Sequence, residues 1–346
     1  MADKRIYRLS DFSFDLPEEL IAQYPEKQRE ESRLMILHRN TGDCEHQIFR
    51  HIREYLREGD LLVLNNTRVI PARIFLKRET GGTVEIMLFR QLENGTWLVL
   101  SNRTKRLRKD EQLQSTLDPR VIFRVVGRTG DSLIIESGTP LTEELLRKIG
   151  EYPLPPYIKR SPEEMDRHRY QTVYATEDGA IASPTAGLHF SEDLLMQLSS
   201  AGIRFVPLTL YVSWGTFHPV RDEELHKHRM HSERYILPAD TAASINRARA
   251  ESRRVIAVGT TVLRVLESTF ENGQNVPGEG EADIFIYPPC AVRSVDALIT
   301  NFHTPHSTLL MLVSAFAGYD TIMRAYRIAI EKRYRFYSYG DAMLIV

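Results

Sequence analysis

Cysteine is scarce in this sequence of 346 residues, which contains only Cys44 and Cys290. Two cysteines so far apart do not make a disulfide framework, and they favour a reducing environment such as the cytoplasm. Long apolar runs are absent too, since none reaches the roughly 18 residues of a membrane-spanning helix. The first residues show no apolar core of a secretory signal. We therefore expect a cytoplasmic protein that has no membrane partner.

An excess of charge of one sign is also missing. The formal net charge is −1 at pH 7, so a nucleic-acid partner would have to bind at local basic patches. Neither a G-x-G-x-x-G fingerprint nor the lysine of a P-loop is present, so the sequence indicates no dinucleotide or ATP site. The content of 42% apolar and 26% charged residues is typical of an ordinary globular protein.

Two patterns of secondary structure divide the chain. Between 74 and about 140, short β-branched runs alternate with turn signals such as Asn94-Gly95, which predicts a small β barrel. From about 165 onward, strand and helix patterns alternate, as is typical of an α/β sheet. The predicted fold is a mixed-sheet α/β domain, formed by residues 1–73 and 151–346, with a β-barrel domain inserted at 74–150. The α/β part has predicted strands at 33–38, 60–64, 203–210, 254–258, 284–287 and 297–299, and predicted helices at 48–57, 193–199, 239–251, 261–270 and 309–316.

Three polar turns in the α/β part are candidate ligand sites. His189 and His303 each lie in a turn that precedes a helix-like segment, where open α/β folds bind ligands. Either imidazole is a candidate general acid or base, but a buried histidine that bonds the backbone is the open alternative. The turn Gly259-Thr260-Thr261 follows an apolar run, and the free N–H groups of a helix start there can bind an anion. An ordinary capped turn without a ligand is the alternative for this segment.

A cluster of histidines suggests a different function. His218, His226, His228 and His231 lie close in sequence, and the H-x-H spacing would put two imidazoles on one face of a strand. A metal-dependent hydrolase is therefore a second hypothesis. Neighbouring lysine and arginine side chains would repel a divalent ion, which weighs against a metal.

A basic run inside the predicted barrel suggests a third hypothesis, a non-catalytic RNA-binding protein. Small β barrels often bind nucleic acid, and closely spaced cations can hold phosphates. A solvated charged loop is the alternative. The cations of this run are Arg103, Lys105, Arg106, Arg108 and Lys109.

Several segments, taken in order, resemble one known family. They are NNTRVIPAR at 65–73, PLPPYI at 153–158, PTAGLHF at 184–190, VGTT at 258–261, DIFIYP at 283–288, TNFH at 300–303 and STLLMLVSAF at 307–316. Together they are similar to the S-adenosylmethionine:tRNA ribosyltransferase-isomerases of queuosine biosynthesis. The resemblance runs from residue 11 to the C-terminus.

The resemblance implies a specific reaction. The ribosyl part of S-adenosylmethionine passes to the aminomethyl group of 7-aminomethyl-7-deazaguanine (preQ1), the wobble base in the anticodon loop of tRNA. There it isomerises, giving epoxyqueuosine and releasing adenine and methionine. S-adenosylmethionine is a co-substrate, no metal or other cofactor is implied, and we expect a monomer.

The resemblance also assigns roles to residues of this chain. Proton transfers fall to His189, His303 and His231, although the residues do not say which is the base and which the acid. Arg68 and Arg73 are candidates to meet phosphate, while Asp283 and Tyr287 are among the options for facing the sulfonium cation. The expected substrate-binding positions are completed by Thr185, Gly187, Asn301, Gly259, Thr260 and Thr261.

Among the positions that depart from the family pattern are three at which the family usually has a charged side chain. Asn66 stands where the family usually has Asp, so a carboxylate role is excluded there. His218 and His306 stand where Arg or Lys is usual. If those cations meet tRNA phosphate, binding by this chain should be weaker or more dependent on pH.

Overall fold

The computed structural model describes residues 5–92, 94–130, 132–212, 220 and 222–346, and the side chain of Lys105 lies outside this description. The strands are β1 Arg33–His38, β2 Asp43–Ile48, β3 Leu61–Asn65, β4 Thr67–Val69, β5 Arg73–Arg78, β6 Thr83–Gln91, β7 Trp97–Ser101, β8 Gln112–Ser115, β9 Ile122–Thr129, β10 Ser132–Ser137, β11 Gly150–Glu151, β12 Glu177–Ala180, β13 Arg204–Leu210, β14 Glu233–Leu237, β15 Val255–Val258, β16 Phe270–Glu271, β17 Gln274–Asn275, β18 Gly278–Ala282, β19 Ala297–Asn301 and β20 Ala342–Ile345. The α-helices are α1 Glu143–Ile149, α2 Asp166–Arg169, α3 Glu192–Ser200, α4 Ala239–Ala250, α5 Thr260–Ser268, α6 Thr308–Ala317 and α7 Tyr319–Glu331. Short 3-10 helices are formed by Leu9–Phe12, Glu18–Leu20, Arg29–Glu31, Phe49–Tyr55, Thr104–Arg106, Thr185–His189 and Leu225–Lys227.

Strands β5 to β10 form a closed barrel. Its strands follow the order β5, β6, β7, β10, β9 and β8, and pairing of β8 with β5 closes the ring. Alternate residues of each strand, such as Val84, Ile86 and Leu88 of β6, are buried inside it. The predicted barrel is confirmed. β11 pairs with β5 at its rim, close to the predicted boundary at 150; the division into two domains at 74 and 150 stays a prediction.

The α/β unit is built on one large mixed sheet. The strand order is β18, β14, β13, β3, β15, β19, β20, β1 and β2. Strands β13, β3, β15 and β19 are mutually parallel, while β19 and β20 run antiparallel. Every residue of β3, β15 and β19 is buried, as expected for strands covered on both faces. The predicted α/β class with a mixed sheet is confirmed.

Some elements differ from the prediction. The predicted strand at 284–287 is not a strand; it precedes Pro288-Pro289, and a proline has no N–H to donate to a ladder. The predicted helix at 48–57 is a 3-10 helix, Phe49–Tyr55. The patterns also missed β20, although it lies in the middle of the sheet between β19 and β1.

Helix α5 follows β15 after a single residue, Gly259, and helix α6 follows β19 after the turn at 302–307. Helix α6 is capped by Ser307, whose hydroxyl accepts a hydrogen bond from the Leu310 N–H at 3.1 Å. Its apolar length is short, and within the described ranges no helix is long and apolar enough to cross a membrane.

Candidate active site

A cavity of about 260 Å³ opens beyond the carboxyl ends of the parallel strands β15 and β19. Such a crevice is the usual ligand position in an open α/β sheet. Segments far apart in sequence form its wall. The lining residues are Tyr157, Ser183, Pro184, Thr185, Ala186, Val212, Gly259, Thr260, Thr261, Thr300, Asn301, Phe302, His303, Thr304, Pro305, Ser307, Leu309, Tyr337 and Ser338.

One wall of the cavity is the start of helix α5. Gly259 has a φ of 101°, a value that L side chains rarely adopt, and its N–H donates to the Ile299 carbonyl at 2.8 Å. This turn directs the chain from β15 into α5 next to Ala186 of the neighbouring segment. The first N–H groups of the helix, at Thr260 and Thr261, lie at the cavity and can hold a carboxylate.

The side chain of Asn301, at the end of β19, joins several segments. Its Oδ1 accepts a hydrogen bond from Thr185 Oγ1 at 2.9 Å. Its Nδ2 donates to the Tyr337 backbone carbonyl at 3.3 Å and lies 3.0 Å from His189 Nε2. Asn301 therefore holds together the predicted turn at 185–189 and the C-terminal segment.

His189 lies behind Asn301 and does not line the cavity. Its Nδ1 is 2.7 Å from Ser32 Oγ, and its ring packs against the ring of Phe49 with centroids 5.1 Å apart. Burial, with help from the nearby cations Arg335 and Arg29, lowers the pKa of His189 to about 3. The imidazole is therefore neutral at physiological pH.

His303 is the histidine that lines the cavity among the described residues. Its Nε2 lies 2.8 Å from Thr300 Oγ1, and its backbone N–H donates to Tyr326 Oη at 2.9 Å. Burial lowers the pKa of His303 to about 3. It therefore faces the cavity in the neutral form, which has a lone pair that can accept a proton or a hydrogen bond.

Sequence reasoning missed the aromatic part of the wall. The rings of Tyr157 and Tyr337 lie 4.5 Å apart, and Tyr157 Oη is 2.6 Å from Ser338 Oγ. Tyr157 belongs to a quoted motif, but nothing in the sequence pattern joined it to the chain end. Ser183 was also missed; its buried hydroxyl has no hydrogen-bond partner among the described residues, which leaves it available to a ligand.

Comparison with known proteins gives a family for this site. A family model described as "Queuosine biosynthesis protein" matches residues 9–345. The S-adenosylmethionine:tRNA ribosyltransferase-isomerase of Trichlorobacter lovleyi is 51% identical over 341 residues, which cover 98% of this chain and 99% of that protein. The protein of the same name from Carboxydothermus hydrogenoformans is 49% identical, with coverage of 98% and 100%. A crystal structure of an S-adenosylmethionine tRNA ribosyltransferase from Thermotoga maritima has a TM-score of 0.57 and 37% identity, and covers 97% of this chain and 100% of that one.

The chain belongs to this queuosine biosynthesis family. Its members carry the name of a transferase-isomerase, so the chain is an enzyme of that class. The segments that carry the resemblance, at 184–190, 258–261 and 300–303, are those that meet at the cavity. They bring together Thr185, Gly259, Thr260, Thr261, Asn301 and His303 of the predicted site.

Other predicted substrate-binding residues of this family member lie outside the cavity wall. Arg68 contacts Asp178 Oδ1 at 3.2 Å and the Ala175 carbonyl at 2.9 Å. Arg73 lies on the barrel, where it makes a bidentate contact with Glu85 at 2.8 and 3.1 Å. Both guanidinium groups therefore have carboxylate partners already, and their contact with phosphate stays a prediction.

Three further predicted positions also stand apart from the wall. Gly187 is a packing position, because a Cβ there would come within 2.0 Å of Tyr174 Oη. Asp283 is exposed, and the ring of Tyr287 packs against Phe285 with centroids 4.7 Å apart. Neither of these last two side chains lines the cavity.

The histidine cluster differs from its prediction. His226 lies in the 3-10 helix Leu225–Lys227, so the 226–228 pair does not share a strand face. His231 is exposed and is not part of the cavity wall. Within the described residues no group of His, Cys, Asp and Glu has the geometry of a metal site, and His218 lies outside them.

The basic run lies on the barrel surface. The side chains of Arg103, Arg106, Arg108 and Lys109 are exposed, and that of Lys105 lies outside the described part. Where the structure describes side chains, these four form no ion pair. They are therefore available to an anionic partner.

Two of the family departures have defined surroundings. Asn66 Nδ2 donates to Thr176 Oγ1 at 3.0 Å, and its Oδ1 accepts from Thr209 Oγ1 at 2.8 Å. An amide meets both partners there, one as donor and one as acceptor. His306 has a positive φ of 57°, and its N–H donates to the Phe12 carbonyl at 3.0 Å.

Proposed function

We propose that this chain transfers and isomerises the ribosyl moiety of S-adenosylmethionine onto the preQ1 base at the wobble position of tRNA. The products are epoxyqueuosine-tRNA, adenine and methionine. The observation that carries this proposal is the convergence of the family segments at 184–190, 258–261 and 300–303 on one cavity.

The cavity offers complementary groups to the parts of S-adenosylmethionine. The α5 start after Gly259 suits the methionine carboxylate, because the N–H groups of Thr260 and Thr261 have no partner within the helix and the helix dipole favours an anion. The paired rings of Tyr157 and Tyr337 suit the sulfonium, because an aromatic face attracts a cation. We therefore propose that these tyrosines, rather than Asp283 and Tyr287, face the sulfonium.

The proton transfers are assigned to His303. The sulfonium acidifies the C5′ proton of the donor, and removal of that proton needs a neutral base within reach. His303 lies at the cavity wall in the neutral form, with its Nε2 near Thr300 Oγ1. This position, rather than the lowered pKa, supports the assignment, since the burial that keeps the imidazole neutral also weakens it as a base. His189 and His231 lie outside the wall, so neither reaches the reacting carbon directly in this arrangement.

The tRNA is proposed to contact the exposed cations of the barrel. Arg103, Arg106, Arg108 and Lys109 are exposed, and their side chains form no ion pair within the described part. Contacts of this kind bind phosphate without reading bases, so they would position the anticodon loop. We propose that the chain acts as a monomer and without a metal.

The test is release of adenine in the presence of a chelator. The purified protein is incubated with S-adenosylmethionine and tRNA that carries preQ1, and free adenine and the nucleoside mass are measured. We expect adenine together with the mass of epoxyqueuosine. His303→Gln should lower turnover by at least about a hundredfold, whereas the matched control His226→Gln, an exposed histidine, should not.

Three results would contradict the proposal. An unchanged nucleoside with RNA still bound would favour a non-catalytic RNA-binding protein. Activity abolished by the chelator and by His226→Gln would favour the metal-dependent hydrolase. Full activity of His303→Gln would remove His303 from the proton transfers while leaving the overall reaction in place.

A further inference from the structure

A chain of hydrogen bonds runs from the cavity wall into the protein interior. It passes through the side chains of Thr185, Asn301, His189 and Ser32 and ends at the Arg29 carbonyl. Its distances are 2.9 Å, 3.0 Å, 2.7 Å and 3.4 Å in that order. Of these four residues, Thr185 and Asn301 line the cavity, and His189 and Ser32 lie behind them.

A backbone carbonyl sets the orientation of the Asn301 amide. The Tyr337 carbonyl lies 3.3 Å from one terminal atom of this amide, and a carbonyl oxygen only accepts hydrogen bonds. That terminal atom is therefore the NH₂ group, and the other is Oδ1. Oδ1 also only accepts, so the Thr185 hydroxyl, 2.9 Å away, must donate its hydrogen to it.

The same amide determines the tautomer of His189. The second hydrogen of Asn301 Nδ2 points to His189 Nε2 at 3.0 Å, so Nε2 carries no hydrogen. The ring hydrogen then lies on Nδ1 and is donated to Ser32 Oγ at 2.7 Å. Ser32 in turn donates to the Arg29 carbonyl. The carbonyls of Arg29 and Tyr337 can only accept hydrogen bonds, so they fix the direction of donation along the whole series.

The surroundings of His189 preserve this direction. The cations that act on its ring are Arg335 and Arg29, and Arg29 Nη1 donates to the Leu188 carbonyl at 3.1 Å. On another side the ring packs against Phe49. Neither cation nor the phenyl ring accepts a hydrogen bond from an imidazolium, so the doubly protonated ring has no stabilising partner among them.

We propose that Thr185 Oγ1 is a committed hydrogen-bond acceptor at the cavity wall and receives a ribose hydroxyl of the nucleoside sulfonium. Its only hydrogen is directed to Asn301, so lone pairs alone remain for a ligand. A carboxylate or a phosphate has no hydrogen to donate and is excluded from this position. His189 is then a positioning residue that acts through Asn301. This inference rests on the proposed function for the identity of the ligand, and on the structure for the direction of the hydrogen bonds.

Binding of S-adenosylmethionine analogues tests the role of Thr185. Affinities are measured by calorimetry for the natural compound and for analogues in which fluorine replaces the 2′ or the 3′ hydroxyl, since fluorine cannot donate. We expect one analogue to bind about threefold to tenfold more weakly to the wild type. Thr185→Val should bind the natural compound with a similar loss and show no further loss with that analogue. Thr185→Ser, which keeps the hydroxyl, should behave as the wild type.

If each analogue loses as much affinity for Thr185→Val as it loses for the wild type, the proposed contact is overturned. A loss on Thr185→Val that appears only when tRNA is present, with no penalty for either analogue, would mean that the attacking amine, rather than the ribose, donates to Thr185, and would also overturn it. No binding of the natural compound to the wild type would instead contradict the proposed function.

The role of His189 is tested by substitutions that keep or remove its two hydrogen bonds, the one accepted from Asn301 and the one donated to Ser32. Gln accepts with Oε1 and donates with Nε2, so His189→Gln reproduces both bonds, whereas His189→Leu reproduces neither. We expect His189→Gln to keep turnover within about threefold and His189→Leu to lose the discrimination between hydroxyl and fluorine. If His189 were a general base, both variants would be equally inactive.

A spectroscopic measurement on the wild type is independent of activity and of any folding defect in a variant. Nitrogen NMR of labelled histidine should show His189 with hydrogen on Nδ1 and none on Nε2, unchanged from about pH 5 to about pH 9. A hydrogen on Nε2, or titration in this range, would overturn the hydrogen-bond chain.

Discussion

At the scale of single residues, the two histidines of the resemblance differ in what they touch. His303 faces the cavity, while His189 lies behind Asn301 and bonds Ser32. A sequence pattern treats them alike, because both precede a helical segment by a few residues. Their neighbours distinguish them, and these neighbours come from 32, 49 and 326, far from either turn.

The buried state of His303 predicts a dependence of stability on pH. Its pKa is about 3 in the folded protein and about 6.5 when unfolded. Between these values the unfolded chain binds the extra proton, so stability is full above about pH 6.5 and falls as the pH drops. His303→Gln should remove a slope of about 1 kcal/mol per pH unit from the free energy of unfolding. Urea unfolding at a series of pH values measures this, and an unchanged acid slope would show that His303 is not buried in the neutral form.

At the scale of elements, the turn between β15 and α5 decides whether the cavity has an anion-binding wall. Gly259→Ala should destabilise the fold by about 1–2 kcal/mol, because φ of 101° is strained for alanine. It should also weaken S-adenosylmethionine binding, since the α5 start would move. Gly81→Ala is the matched control: its φ is 88°, and no atom lies within 4 Å of the added Cβ. Thermal unfolding and calorimetry compare the two, and equal loss of binding in both variants would contradict the role of the turn.

At the scale of the whole molecule, a buried ion pair links the segment that follows the barrel to the C-terminal segment beside the cavity. Arg160 contacts both oxygens of Asp166 at 2.7 and 2.8 Å, and Tyr339 Oη donates to Asp166 Oδ1 at 2.7 Å. Burial opposes the charge of Asp166, but Arg160, the Glu163 N–H and Tyr339 outweigh it and hold the pKa below its usual value. Tyr339 immediately follows the cavity residues Tyr337 and Ser338.

Asp166→Asn should therefore cost about 3 kcal/mol of unfolding free energy, because it leaves the Arg160 charge buried without its partner. Since the folded pKa is lowered, the contribution of Asp166 is present above about pH 3.9 and is lost as the pH falls further. The control is Glu144→Gln, which breaks an exposed pair with Lys148 and should leave the unfolding free energy almost unchanged. Denaturant unfolding near neutral pH measures both, and similar losses would contradict the structural role of the Asp166 pair.

The sequence by itself determined the local elements and the family. The alternation of Val84, Ile86 and Leu88 predicts a strand of a barrel, and the apolar run before Gly259 predicts a strand that enters a helix, because these patterns depend on residues that are neighbours in sequence. Only the tertiary structure decided that β20 inserts between β19 and β1, and that Tyr157 meets Tyr337 at the cavity. Pairing of distant strands and burial of a side chain depend on contacts between remote segments, and local periodicity does not encode which remote segments will meet.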